Sequence, residues 1–307
     1  MDEDGGVCDA GSVVLVAKPC GMTPLEALRA YVSSSGSSQS VRRSYAGRLD
    51  PMAEGLLLVL EGSQCALQEQ MQHHDKSYAW ELLLGLSSDS YDILGLGVAA
   101  PIGLCSSAHE MDARVLQAQQ LLQCCPGPRW QSYPPFSSAR VRGHPLFWWA
   151  QQGRLDEIVV PRVQVVVHAC RVAHVRWIAA ADVLRQMIDR IRLVSGDGFR
   201  QEQIIQRWKE LLTPMAEQQV TFPIISVVSH VSSGTYIRAL AHDTGNQVQC
   251  GGLAWRICRT SLGSNPEFLL RDAFHLEPIS KETFLAVFVI LKQLKFIGNP
   301  NAASLPS

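Results

Sequence analysis

The stretch that decides the reading is S-Y-A-G-R-L-D-P-M-A-E-G-L-L-L-V-L-E-G, residues 44–62. From Gly55 to Leu60 it is a continuous apolar run closed by Gly62, the pattern of a short strand buried on both faces. Just before it, Gly47, Arg48, Asp50, Pro51 and Glu54 crowd charges and turn-formers into one loop. A carboxylate on a turn that feeds a buried strand is held by a rigid scaffold while still facing a cleft. The plainer alternative is that Asp50 only hydrogen-bonds its own backbone in an Asp-Pro turn, so the surrounding segments must decide.

Outward from this stretch, the chain alternates short strands and helices. Val13 to Ala17 reads as a buried strand ending in a Pro/Gly turn. Thr23-Pro24-Leu25-Glu26 is a capping box with Pro at the first helical position, so a helix starts there and stops before the polar loop 33–40. Ser63 is placed to cap a helix through about Met71. Lys76 to Leu86 reads as a strand with Tyr78 and Trp80 on one face. Asp112 to Gln123 carries apolar residues at helical spacing, and the β-branched run from Pro161 to His168 is strand. From about 179 to 218 the pattern turns helical twice, read as an insertion packed on the periphery or on a partner protein. A strand then ends at a Ser/Gly turn and a helix begins near Thr235, a cap position. Ser280 opens a last apolar helix before a polar tail.

Composition narrows the class. At 307 residues the chain is long enough for one large core or two small ones. It is 47% hydrophobic and 18% charged, as in soluble globular enzymes. A net charge of −1 provides no overall basic field, which disfavours coating nucleic acid by charge alone. The basic residues are uneven, however: Arg129, Arg140, Arg142, Arg154 and Arg162 are set against only Asp156 and Glu157. Nine cysteines, an odd count without C-x-x-C spacing, spell neither a zinc site nor a disulfide framework and suit a reducing compartment. The start M-D-E-D-G-G is not a leader of the secretory or Arg-rich kind, and no apolar run reaches membrane-spanning length. The expectation is a soluble intracellular protein without membrane contact, with cytoplasm and organelles both open.

G-R-L-D-P-M-A-E-G-L-L-L-V resembles the catalytic-aspartate motif of the TruB family of RNA pseudouridine synthases, with Arg48 where a small residue is usual. The Arg version also resembles the ribosomal-RNA pseudouridine synthases. K-P-C-G-M-T at 18–23 is similar to the family's opening turn, and K-S-Y at 76–78 to its K-x-Y. Residues 131–153, Q-S-Y-P-P-F-S-S-A-R-V-R-G-H-P-L-F-W-W-A-Q-Q-G, resemble an element that grips an RNA stem-loop, with Gln151 in place of the usual Arg. The most distinctive string is S-S-G-T-Y-I-R-A-L-A-H-D-T-G, residues 232–245, which favours TruB over the ribosomal cousins. C-G-G-L-A-W-R-I-C-R-T-S-L-G, residues 250–263, completes the resemblance.

The resemblance implies an α+β pseudouridine-synthase fold, a mixed, mainly antiparallel β-sheet with flanking helices and a central cleft, Asp50 on its floor. It divides the chain into a flexible tail (1–11), a catalytic domain (12–276) and a C-terminal helix and polar tail (277–307), with no RNA-binding PUA domain. It implies catalytic roles for Asp50, Tyr78 and Arg238, and substrate contacts for Lys18, Tyr45, Arg48, Tyr236, Arg140, Arg142, Phe136 and Arg259. Tyr45 stands where the family often has a histidine that prises the base outward. Isomerising uridine needs one carboxylate, acting on C1′ or on the 2′ proton. Burial raises a carboxyl pKa and an adjacent Arg lowers it, so Asp50 requires Arg238 within salt-bridge reach, with Arg48 the second candidate. The target base must leave its stack, and Tyr78 and Tyr236 are the surfaces to receive it. No metal, nucleotide or redox cofactor is called for. The implied partner is RNA, most simply the T loop of tRNA, bound by a monomer. The alternatives are an rRNA-directed synthase and a non-catalytic RNA-binding factor in ribosome assembly.

Overall fold

The computed structural model describes residues 11–36, 40–98 and 108–263. The tail before Gly11 and the helix expected from Ser280 lie outside the described residues. The first half of the chain forms β1 (Val13–Lys18), α1 (Pro24–Ser34), β2 (Arg43–Ala46), β3 (Ala53–Glu61), α2 (Gln68–Gln72), β4 (Lys76–Leu84), β5 (Ser87–Ser88) and β6 (Gly97–Val98). Next come α3 (Ala108–Gln123), β7 (Gly127–Ser132), β8 (Arg140–Val141), β9 (His144–Pro145) and α4 (Leu146–Gln151). The remainder is β10 (Arg162–Ala179), α5 (Ala180–Ile191), α6 (Gln201–Glu217), β11 (Thr221–Val231), α7 (Ile237–Gln247) and β12 (Gly252–Leu262).

Eight strands make one sheet in the order β1-β3-β12-β4-β11-β10-β7, with β2 added along the second half of β3. Every pairing in it is antiparallel except β3 with β12. The apolar run of the opening stretch is β3, with Leu57, Val59 and Leu60 fully buried as a doubly covered strand requires. Helices cover both faces because successive strand residues point to opposite sides. Leu82, Leu84, Ile225 and Ala254 pack with Val115 of α3 and Leu240 of α7. The alternate residues Leu83, Ile224 and Leu253 pack with Met187 of α5 and Trp208 of α6.

The helix pair at 180–217 is therefore one wall of the core, not a peripheral attachment. Without it the sheet face carrying Phe222, Ile224, Leu253 and Trp255 would lie bare. Other boundaries also shift. The capping box of Thr23 and Glu26 is formed, but α1 runs two residues into the polar loop. Ser63 does not cap an α-helix; residues 62–67 form a 3-10 turn that leads into α2. Thr235 does not cap α7 either: its hydroxyl donates to the Ser232 carbonyl at 2.9 Å, and Tyr236 takes the cap position with no side-chain cap bond. Strand β10 extends eleven residues beyond the expected Val-rich segment, carried by its pairing with β11 up to Ala179. Among the described residues no helix is long and apolar enough to cross a membrane.

Candidate active site

One line of residues crosses the middle of the sheet. Lys18 of β1 lies opposite Gly55 of β3, Gly55 opposite Arg259 of β12, Arg259 opposite Tyr78 of β4, and Tyr78 opposite Ser229 of β11. The turn carrying Asp50 sits where this line meets the start of β3. Its geometry is held from below. The Arg259 guanidinium, 1% exposed, donates to the carbonyls of Gly47 (2.9 Å), Arg48 (3.3 Å) and Leu56 (2.7 Å). The Lys18 ammonium, 0% exposed, donates to the carbonyls of Pro19 (3.0 Å), Met22 (2.6 Å) and Pro51 (3.4 Å). The Gly21 N–H adds a 2.8 Å bond to the Pro51 carbonyl.

These two cations correct the sequence reading, which made Lys18 and Arg259 substrate contacts. Neither reaches solvent; both satisfy backbone carbonyls that a tight buried turn leaves without partners. Burial lowers the Lys18 ammonium to about 8, although Cys20 and Asp50 pull the other way. The Lys76 ammonium, also lowered to about 8 by burial and by Arg259, bonds the carbonyls of Gln72 (3.0 Å) and His74 (2.5 Å).

Asp50 itself meets Arg238, from the first turn of α7. Nε lies 2.8 Å from Oδ2 and Nη2 3.5 Å from Oδ1. Two further N–H groups of that fork reach the carbonyls of Ser90 (2.7 Å) and Phe136 (2.8 Å), so four of its five donors are hydrogen-bonded although its side chain is 3% exposed. Burial works against the guanidinium's charge, but Asp50 and Asp92 more than offset it and raise its pKa. Arg48 makes no ion pair with Asp50 among the described contacts; its side chain is exposed at the rim.

The Asp50 side chain, 35% exposed, opens into a cavity of about 410 Å³. That volume suits a small organic group such as a single base and sugar, within the roughly 300–1,000 Å³ range of ligand clefts. Tyr78, Tyr236, Phe136, Arg48 and Lys76 share its lining. Burial raises the Tyr78 and Tyr236 phenols, with Arg259 restraining the first and Asp50 reinforcing the second. Both rings are neutral surfaces at physiological pH. Tyr236 is clamped through its backbone by buried Gln131, which accepts from the Tyr236 N–H at 2.8 Å and donates to its carbonyl at 3.1 Å.

Three further expected contacts lie outside the cavity lining. Tyr45 packs with Val16, Leu28 and Val59 on the side of α1, because its position in β2, opposite Val59, turns the ring that way. Arg140 and Arg142 are exposed on the β8–β9 hairpin, where Arg140 donates to the Gly143 carbonyl at 3.0 Å. Sequence reasoning missed Gln131, although it opens the Q-S-Y-P-P string, and cited Lys76 only as support for Tyr78. It also missed Arg200 at the start of α6, whose guanidinium lies 4.5 Å over the Phe136 ring and bonds Asp89 at 3.1 Å.

Comparison with known proteins matches residues 37–184 to the N-terminal domain of the TruB family of pseudouridylate synthases. The tRNA pseudouridine synthase B of Oleidesulfovibrio alaskensis is 26% identical over 280 residues, covering 91% of this chain and 71% of that protein. Those of Chlamydia trachomatis (28% over 253 residues; 82% and 80%) and Chloroherpeton thalassium (24% over 266 residues; 86% and 88%) are similar in extent. Among solved structures, a Cbf5–Nop10–Gar1 complex aligns at 15% identity with a TM-score of 0.47, covering 92% of this chain and 56% of that one.

Proposed function

The chain belongs to the TruB family of pseudouridine synthases, and from that premise we propose that it isomerises a uridine in the T stem-loop of tRNA with Asp50 as its catalytic carboxylate. The tRNA assignment rests on the relatives named tRNA pseudouridine synthase B. The catalytic assignment rests on one observation, the 2.8 Å ion pair between Asp50 and the buried Arg238 at the floor of the cavity. The reaction breaks the bond between C1′ and N1, turns the uracil, and joins C1′ to C5. N1 ends protonated and the C5 hydrogen leaves as a proton, so nothing is oxidised.

Each residue has a part that its surroundings support. Asp50 attacks C1′ or removes the 2′ proton, and in either role the Arg238 counter-charge keeps it ionised in a partly dry site. Extruding the base from its stack costs a few kcal/mol. Tyr78, Tyr236 and Phe136 offer aromatic surfaces that recover part of it. Arg48 at the rim, with Arg140 and Arg142 on the neighbouring hairpin, supplies cations for phosphates. Tyr45, held against α1, takes no part in prising the base outward.

The test is pseudouridine formation in a tRNA transcript by wild type and Asp50→Asn. The variant keeps an oxygen to accept from Arg238 but carries no charge. Modification by wild type and none by Asp50→Asn is the expected result. Equal yields would remove the catalytic role, and a modified position outside the T loop would remove the substrate assignment.

A further inference from the structure

Asp75, His168 and His230 meet across three neighbouring strands, β4, β11 and β10. Asp75 immediately precedes β4, and His230 of β11 lies opposite Ser77 of β4. His168 is the extra residue of a bulge in β10, between the pairs Val167–Val231 and Ala169–His230. The bulge brings the two imidazoles to a centroid separation of 4.9 Å at 36°. Asp75 Oδ2 is 3.0 Å from His168 Nε2, and one donor atom from each of the three residues lies within 4.8 Å of the others.

We propose that Asp75, His168 and His230 form a binding site for a divalent transition-metal ion of the zinc type. Two imidazoles and one carboxylate suit zinc and its first-row neighbours, whereas magnesium and calcium take oxygen ligands throughout. Ligands about 2.0–2.2 Å from a tetrahedral zinc stand roughly 3.4 Å apart. The Asp75–His168 pair, at 3.0 Å, opens slightly to take the ion, and a side-chain rotation of His230 closes the rest. Ser77 Oγ lies 3.1 Å from His230 Nδ1, the kind of outer partner that metal-bound histidines carry. Side-chain exposures of 37% for His168 and 33% for Asp75 give the ion an entry path and leave a coordination position for water or another oxygen ligand. Asp75 is the chain neighbour of Lys76, which lines the cavity. A bound ion would thus add positive charge at the cleft's edge in a protein whose net charge is −1.

The experiment is a cobalt(II) titration of chelator-treated full-length protein, followed by visible absorption and then by zinc displacement. Expected are d–d bands that saturate at one ion per chain, lack thiolate charge-transfer absorption and bleach on adding zinc. Affinity should fall at least about tenfold in His168→Asn and in Asp75→Asn, both surface changes whose folding circular dichroism checks. No bands, bands with thiolate character, or bands of unchanged affinity in both variants would each overturn the site and leave a plain histidine–carboxylate hydrogen bond.

Discussion

At the scale of the residue, Arg238 is the group on which the site's electrostatics turn. Its fork joins Asp50 to two backbone carbonyls, Ser90 and Phe136, from separate loops. Breaking a buried ion pair costs about 3–5 kcal/mol, and the partial exposure of Asp50 places this one at the low end. Arg238→Met should lower the unfolding free energy in urea by about 3 kcal/mol and abolish turnover. Arg238→Lys should restore charge but not the fork, recovering part of the stability without the activity. Lys76 gives a pH-dependent counterpart. Its folded pKa of about 8 lies below the ordinary 10.5, so between those values the unfolded chain holds a proton that the folded protein has released. Stability therefore rises with pH through that window. Wild type should gain up to about 3 kcal/mol over Lys76→Met between pH 8 and pH 10.5, read from paired urea curves. A constant difference would show that the ammonium keeps its proton inside the fold.

At the scale of the element, the parallel pairing of β3 and β12 is a tight point beneath the site. Gly55 has φ +105, and a Cβ there would stand 2.3 Å from the Arg259 carbonyl oxygen and 2.7 Å from its nitrogen. Those contacts are backbone and cannot swing aside. Gly55→Ala should force the strands apart, destabilise the protein by several kcal/mol and abolish activity even though Asp50 is untouched, as thermal melts and turnover would show. The elements also mark how far the sequence could be read. β3, the capping box and the strand carrying Tyr78 were legible because periodicity and turn chemistry are local signals. The approach of Arg238 to Asp50 was anticipated from the family resemblance, which picked out that arginine, and from the chemistry of a carboxylate that must stay charged. The inward turn of Lys18 and Arg259 was not, because in a sequence a basic residue within a motif looks the same whether it meets phosphate or backbone carbonyl. The place of α5 and α6 was also hidden. Their amphipathic pattern announces a face to be covered without saying that the covering surface is the sheet itself.

At the scale of the whole molecule, the mixed sheet with helices on both faces was expected in class but not in order. Strand order depends on long-range pairing, which leaves little trace in composition or period. Among the described residues, β12 lies between β3 and β4 as the one strand that joins β1, β2 and β3 to β4, β11, β10 and β7. Both the parallel contact with Gly55 and the antiparallel contact with Tyr78 are made through Arg259. A protein being synthesised exposes Asp50 some two hundred residues before it exposes this keystone. Until the keystone leaves the ribosome, the nascent chain holds two half-sheets with no ladder between them, and the Arg259 bonds to the Gly47, Arg48 and Leu56 carbonyls beneath the Asp50 turn are missing. Activity thus arrives late and all at once. A chain stopped after Gly251, still bearing both Asp50 and Arg238, should be readily digested by protease and unable to modify RNA.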